Sequence, residues 1–180
     1  GPREKKAATL LQPLEEAMGG KVVVDSGTGE FYLSIPGEGN MEMPLVAEGL
    51  RKLAMLARLI STGVLLDKGY LLWDEPETNM NPKLIKVLAR SILTLCQQGI
   101  QVFIATHSLF LMRELEMLLQ DAPFQSLAPR YFALKASGLG KPTELEQSAD
   151  LYDIKTLVLL DEELHQSDRF MAVEGLHARD

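Results

Sequence analysis

The sequence predicts an α/β fold in which a mostly parallel sheet is flanked by helices and carries added β-hairpins. Three observations support this. Residues 70–73 are apolar and end in Asp74-Glu75, and residues 102–105 are apolar and end in Thr106-His107-Ser108. Short apolar runs with abrupt polar ends read as buried strands. Between them lies one helix-length segment, so the unit is strand–helix–strand with parallel neighbours and a right-handed crossover. Elsewhere, short alternating runs flank glycine-rich turns, the pattern of hairpins. In open sheets of this class the carboxyl ends of adjacent parallel strands border one crevice. Asp74, Glu75 and His107 are therefore expected to meet.

The elements follow in order. Residues 3–18 form an amphipathic helix closed by Gly19-Gly20, with Pro13 as a kink, a break or a new start. Residues 21–24 and 30–35 flank Asp25-Ser-Gly-Thr-Gly29 and make a hairpin. A helix begins near Glu48 and turns Leu50, Leu53, Ala54, Ala57 and Ile60 inward. Gly27-Thr-Gly-Glu30 and Gly37-Glu-Gly-Asn40 read as turns. After the first apolar strand, Asn81 is a good N-cap and Pro82 a good first helical residue. The helix over 83–98 buries Ile85, Leu88, Ile92 and Leu95, and Gly99 closes it. Residues 109–119 form a helix with Leu111, Leu115 and Leu118 inward. Residues 130–135 and 143–147 make a second hairpin. Residues 154–165 form a last helix, with Asp161-Glu-Glu163 on a solvated face, and the chain frays from Ser167. The organisation is thus an N-terminal helix over 1–20, a lobe over 21–170 and a tail over 171–180.

Composition bounds the function. The 180 residues are 46% hydrophobic, enough for one globular domain with a sizeable core. A net charge of −7, from 18 Lys and Arg against 25 Asp and Glu, argues against the whole surface being a nucleic-acid grip. The single cysteine, Cys96, excludes a disulfide framework. No leader and no apolar run of spanning length is present, so the expected partners exclude a membrane and the expected location is the cytoplasm.

The polar residues at the strand ends suit a magnesium–nucleotide site. An Asp at a strand's carboxyl end can hold Mg²⁺ directly or through its waters, and a neighbouring Glu can polarise an attacking water. The competing structural account is a polar turn after a strand, and for His107 a cap on the helix that follows. Asn81-Pro82 is likewise explained by helix initiation alone.

Tyr70-Leu-Leu-Trp-Asp-Glu75 resembles a Walker B motif. Glu75-Pro-Glu-Thr-Asn-Met-Asn-Pro82 resembles the Walker B to D-loop segment of ABC-type ATPases, with Asn81-Pro82 where Asp-Pro is usual. Thr106-His107 resembles the H-loop. Upstream, Met43-Pro-Leu-Val-Ala-Glu-Gly-Leu-Arg-Lys-Leu-Ala54 resembles the signature segment, with Ala47 in place of its Ser and Glu48 in place of its first Gly. From 22 to 170 the chain is similar to the C-terminal ATPase lobe of bacterial AAA-type ATPases in the ABC superfamily. The relatives include the overcoming-lysogenization-defect (OLD) group and the ATPases of phage-defence operons, some linked to retrons.

That resemblance implies a partial P-loop NTPase lobe of the ABC type, using ATP and Mg²⁺. Asp74 would order the metal, Glu75 would be the base or orient the water, and His107 would contact the γ-phosphate. Asn81 would cross a dimer interface, and Ala47, Glu48 and Gly49 would face the nucleotide of the opposing subunit. A nucleotide-dependent homodimer would control an effector protein or a nucleic acid, with phage defence as the setting. The helix over 1–20 would be the returning end of a helical insertion, and a short surface helix explains it equally well.

A P-loop requires Gly, four residues, then Gly-Lys-Ser/Thr. No such run exists: Gly140-Lys141 precedes Pro142, and Gly20-Lys21 precedes Val22. Gly1-Pro2 matches the pair left after rhinoviral-type protease cleavage. The expectation is the C-terminal, hydrolytic lobe of a longer protein whose N-terminal lobe carries Walker A. The alternative is a catalytically degenerate lobe used for nucleotide-gated dimerisation or scaffolding. A nuclease built on Asp74, Glu75 and Glu77 lacks carboxylates converging from other elements.

Overall fold

The computed structural model describes residues 1–155 and 158–177. Its contacts divide the chain into two compact units, Gly1–Leu127 and Ala128–Asp180, where composition reads as one domain. The first unit holds helices α1 (Pro2–Met18), α2 (Glu48–Ser61), α3 (Val64–Lys68), α4 (Pro82–Gln97) and α5 (Leu109–Leu119). Its strands are β1 (Lys21–Val24), β2 (Phe31–Ile35), β3 (Gly39–Glu42), β4 (Tyr70–Asp74) and β5 (Gln101–Ala105). The second unit holds β6 (Tyr131–Lys135), β7 (Glu144–Ser148) and α6 (Val158–His177).

Helix α1 runs through Pro13 without ending, and buries Leu10, Leu14 and Met18 along one stripe. Gly19 closes it in the left-handed conformation at φ 67°, which a residue without Cβ adopts at little cost. The stripe Leu53, Leu56, Ala57 and Ile60 of α2 and the stripe Ile85, Leu88, Ile92 and Leu95 of α4 are buried with it. These three helices form the core of the first unit. The helix spacing named Leu50 among the buried residues, but it is half-exposed, and Leu56 is buried in its place. Cys96 lies partly buried on α4, and burial pushes its thiol up.

The first antiparallel sheet has the order β1-β2-β3. Asp25 Oδ1 accepts from the Gly27 and Thr28 amides at 2.7 and 2.8 Å, which shapes the turn between β1 and β2. The Thr28 and Gly27 amides also hold the Asp25 carboxyl below its usual value. The expected hairpin thus gains a third strand. Residues 37–40 read as a turn because of their glycines, yet Gly39 and Asn40 already pair with Ile35 and Ser34. In the second unit β6 and β7 pair antiparallel, Leu134 opposite Leu145. The last helix runs to His177 instead of fraying at Ser167. Its sequence holds no Pro and a single Gly, Gly175. Residues 178–180 lie outside the described residues.

Strands β4 and β5 form the parallel pair, in register from Tyr70↔Gln101 to Asp74↔Ala105, with α4 as the crossover. One face, Leu71, Trp73, Val102 and Ile104, packs on the helical core. The other face is open: Tyr70 is 53%, Leu72 70% and Phe103 46% exposed. The apolar composition had implied burial on both faces. No helix among the described residues is long and apolar enough to cross a membrane.

Leu88 is fully buried on α4. Leu88→Ala should cost about 2–5 kcal/mol in urea unfolding, whereas Lys83→Ala, exposed on the same helix, should stay within about 0.5 kcal/mol.

Candidate active site

The parallel register brings the two strand ends side by side. One further backbone bond, from the Glu75 amide to the Ala105 carbonyl at 2.8 Å, continues the ladder past Asp74. Glu75 and Thr106-His107 therefore leave the sheet together. His107 Nδ1 lies 2.8 Å from Glu75 Oε1, and Thr78 Oγ1 donates to Glu75 Oε2 at 3.2 Å. The carboxylate thus has one oxygen on the imidazole and the other on the loop.

Glu75 holds this position in an uncommon backbone conformation, φ 43°, and Asn79 sits at φ 63°. A left-handed residue with a side chain costs about 1–3 kcal/mol and persists only where its surroundings over-determine it. The surroundings do so here. The Glu75 carbonyl accepts from the Thr78 amide at 3.2 Å and from Lys52 Nζ at 3.0 Å. One bond closes the loop on itself and one ties it to α4. The Met80 amide donates to the Glu77 carbonyl at 3.0 Å, and Asn81 Oδ1 accepts from the Leu84 amide at 3.0 Å as the N-cap of α4.

Glu77 is the buried carboxylate of the loop, 7% exposed. Its Oε1 accepts from the Thr106 hydroxyl, and that hydroxyl in turn accepts from the Ser108 amide at 3.0 Å. Its Oε2 has no hydrogen-bond partner among the described residues. A buried carboxylate is tolerated only with such partners, so the Glu77–Thr106 contact couples the loop after β4 to the loop after β5. Sequence reasoning missed Lys52 and Thr78, and named Thr106 at the strand end without its partner Glu77. The signal was faint: a hydroxyl beside the histidine, and a lysine one turn into the helix.

The remaining candidates make no contact with this pair among the described interactions. Asp74 ends β4 with an exposed side chain. Ala47 and Glu48 are exposed at the start of α2, while Gly49 is buried. A Cβ on Gly49 would stand 3.0 Å from the Asn79 carbonyl oxygen and 3.3 Å from Met80 Cγ and Leu84 Cδ1. The glycine therefore lets α2 rest on the loop of its own chain. A cleft of about 460 Å³ lies elsewhere, lined by Glu30, Tyr32, Glu42 and Arg58 among others. Arg58 stands 4.5 Å over the Phe31 ring there. It is remote in sequence and element from the strand ends, and the chemistry follows the strand ends.

For a divalent cation the donor set is sparse. No group of three or more His, Cys, Asp or Glu residues among those described could hold an ion. Mg²⁺ needs as few as one or two carboxylates and fills its shell with waters and phosphate oxygens. Asp74 is the carboxylate free to serve.

Residues 3–113 match the family described as "AAA domain, putative AbiEii toxin, Type IV TA system". The chain belongs to this AAA-domain family. The match spans α1 to the first turns of α5, and so includes every candidate residue. The family member's fold is also that of a solved SMC ATPase, from work on ATP-driven dimerization and DNA-stimulated activation of those ATPases. The two share 13% identity at a TM-score of 0.58, over 92% of this chain and 91% of the other. At that identity the likeness shows the fold alone. No match was found among curated proteins.

Ser108, not His107, caps α5: its Oγ accepts from the Leu111 amide at 3.2 Å. The His107 side chain is 70% exposed and points to Glu75. Ser108→Ala should therefore cost about 0.5–2 kcal/mol, and His107→Ala no more than about 1 kcal/mol, the range of an exposed ion pair. Thermal melts of both variants check this. A larger loss for His107→Ala would make the histidine structural.

Proposed function

We propose that this AAA-domain chain is the hydrolytic half of an ABC-type ATPase, completed by a lobe that carries Walker A. The observation that carries the reading is the Glu75–His107 pair at the carboxyl ends of two adjacent parallel strands. Glu75 would take the proton of an attacking water, and His107 would hold Glu75 and meet the γ-phosphate. Asp74 would hold Mg²⁺, which when bound neutralises charge on the phosphates. The buried Glu77–Thr106 contact keeps the two loops at a constant separation while this happens.

The open sheet face supports a completing lobe. Parallel sheets are covered on both faces, and Tyr70, Leu72 and Phe103 leave one face of this pair bare. A Walker A lobe would cover it and supply the phosphate-binding amides that this chain lacks. Asn81 and the segment Ala47-Glu48-Gly49 would lie at the interface of a nucleotide-dependent homodimer. The SMC ATPase of the same fold dimerises with ATP, which favours that arrangement. The type IV TA system in the family's description fits an ATPase that controls a partner effector or acts on nucleic acid, and phage defence is one such setting. The OLD and retron-linked ATPases are the relatives we favour, with a location in the cytoplasm.

One observation favours a second reading, a nucleotide-gated dimerisation or scaffold domain without turnover. Glu48 places an exposed carboxylate at the first residue of α2, where a phosphate would approach, and like charges repel there.

Two outcomes test the proposal. This chain alone should give no saturable heat with micromolar Mg-ATP in calorimetry, because it has no P-loop amides or lysine. One site per chain would overturn the two-lobe reading. In the protein that includes the Walker A lobe, Glu75→Gln should retain nucleotide and slow steady-state hydrolysis by about 10² or more. Unchanged turnover would leave Glu75 a turn residue, and no hydrolysis by the unmutated protein would favour the scaffold.

A further inference from the structure

We infer that Lys52 is a positioning residue, through which helix α2 holds Glu75 in the backbone conformation that presents its carboxylate to His107. The inference rests on Glu75 being the hydrolytic carboxylate, and it names the element that controls it. Glu75 stands at φ 43°, a region that residues with side chains rarely adopt. Its amide is held by Ala105 across the sheet, and the Thr78 amide that reaches its carbonyl belongs to the same loop. Lys52 Nζ, 3.0 Å from that carbonyl, comes from a separate element. A bond from an ammonium is charge-assisted and stronger than one between neutral groups. Lys52 is half-buried, and among the described residues it makes no ion pair that would compete.

The same helix grips the far end of the loop. At Gly49 the α2 backbone is pressed against the Asn79 carbonyl and Met80, leaving 3.0 and 3.3 Å to a Cβ. Residues 75–80 are therefore held at both ends by one rigid helix, at Glu75 by Lys52 and at 79–80 by Gly49. Ala47 and Glu48, exposed at the start of α2, lie one turn from Lys52. A ligand or subunit that displaces residues 47–49 displaces Lys52 with them. Contact at the helix start is thereby read out on the hydrolytic carboxylate of the same chain.

The test uses the protein with its Walker A lobe. Lys52→Met should lower kcat by about tenfold or more, the scale of a misplaced catalytic group, while nucleotide Kd stays within about twofold. Lys52→Arg should restore most of the rate. On a Glu75→Gln background Lys52→Met should add nothing further, because the two act as a unit. Hydrogen exchange gives a readout that needs no hydrolysis: the amides of residues 74–80, Pro76 excepted, should exchange about tenfold faster in Lys52→Met, with α4 unchanged. Unchanged exchange over 74–80, or equal loss of protection in α4, overturns the inference. Faster exchange in a protein that never hydrolyses ATP upholds the clamp and refutes the ATPase reading instead.

Discussion

The structure depends on the parallel pairing of β4 with β5. Parallel strands cannot be joined by a tight turn, so a crossover helix is obligatory, and α4 is that helix. Because α4 is capped at Asn81 and opens on Pro82, the segment between β4 and α4 is confined to residues 75–81. The extra ladder bond from Glu75 to Ala105 then places a carboxylate beside the histidine that leaves β5. Backbone hydrogen bonding, not attraction between the side chains, brings the pair together. The Glu75–His107 contact itself is partly exposed and worth little to stability.

The loop is a contest between local preference and tertiary restraint. Two of its residues with side chains, Glu75 and Asn79, occupy the left-handed region, and one carboxylate, Glu77, is buried. Each feature is unfavourable alone. They are offset by bonds that arrive from three directions: from β5 and Thr106, from Lys52 on α2, and from the α4 cap. Strain sustained in this way is typical of sites that need a group held ready. It also means that the loop's geometry is shared with α2, whose own burial depends on Leu53, Ala57 and Ile60 in the helical core.

The helical core and the sheet have different completeness. Helices α1, α2 and α4 bury their apolar stripes in one core, together with Leu33 of β2 and Leu111 of α5. The β4–β5 pair buries one face on that core and leaves the other apolar and open. A polar outer face would mark a sheet built for water, as in antiparallel meanders. Tyr70, Leu72 and Phe103 mark one built for contact. The antiparallel β1–β2–β3 sheet shows the contrast, with Leu33 buried and the glycine-rich rims exposed.

Much was determined by the sequence alone. Periodicity located α1, α2, α4 and α5, and the two apolar runs located β4 and β5, because helix and strand repeats are local properties of the chain. The cap at Asn81 was legible for the same reason. So was the adjacency of the strand ends that carry Asp74, Glu75 and His107, since two parallel strands joined by one helix leave their carboxyl ends side by side; that Glu75 is the carboxylate on the histidine came from the structure. Strand β3 was not legible: four residues with two glycines and little apolar character pair only because β2 offers an edge. The length of α6 was missed because the absence of breakers is a weaker signal than a stripe. Nor could sequence show that Gly49 serves close packing on Asn79, that Glu77 reaches Thr106, that Ser108 rather than His107 caps α5, or that Lys52 holds the Glu75 carbonyl. Those contacts join residues far apart in the chain, and their partners are chosen by how the helices pack on the sheet. The open face of β4–β5 belongs with them: composition predicts that apolar strands are covered, and only the tertiary structure decides on which side.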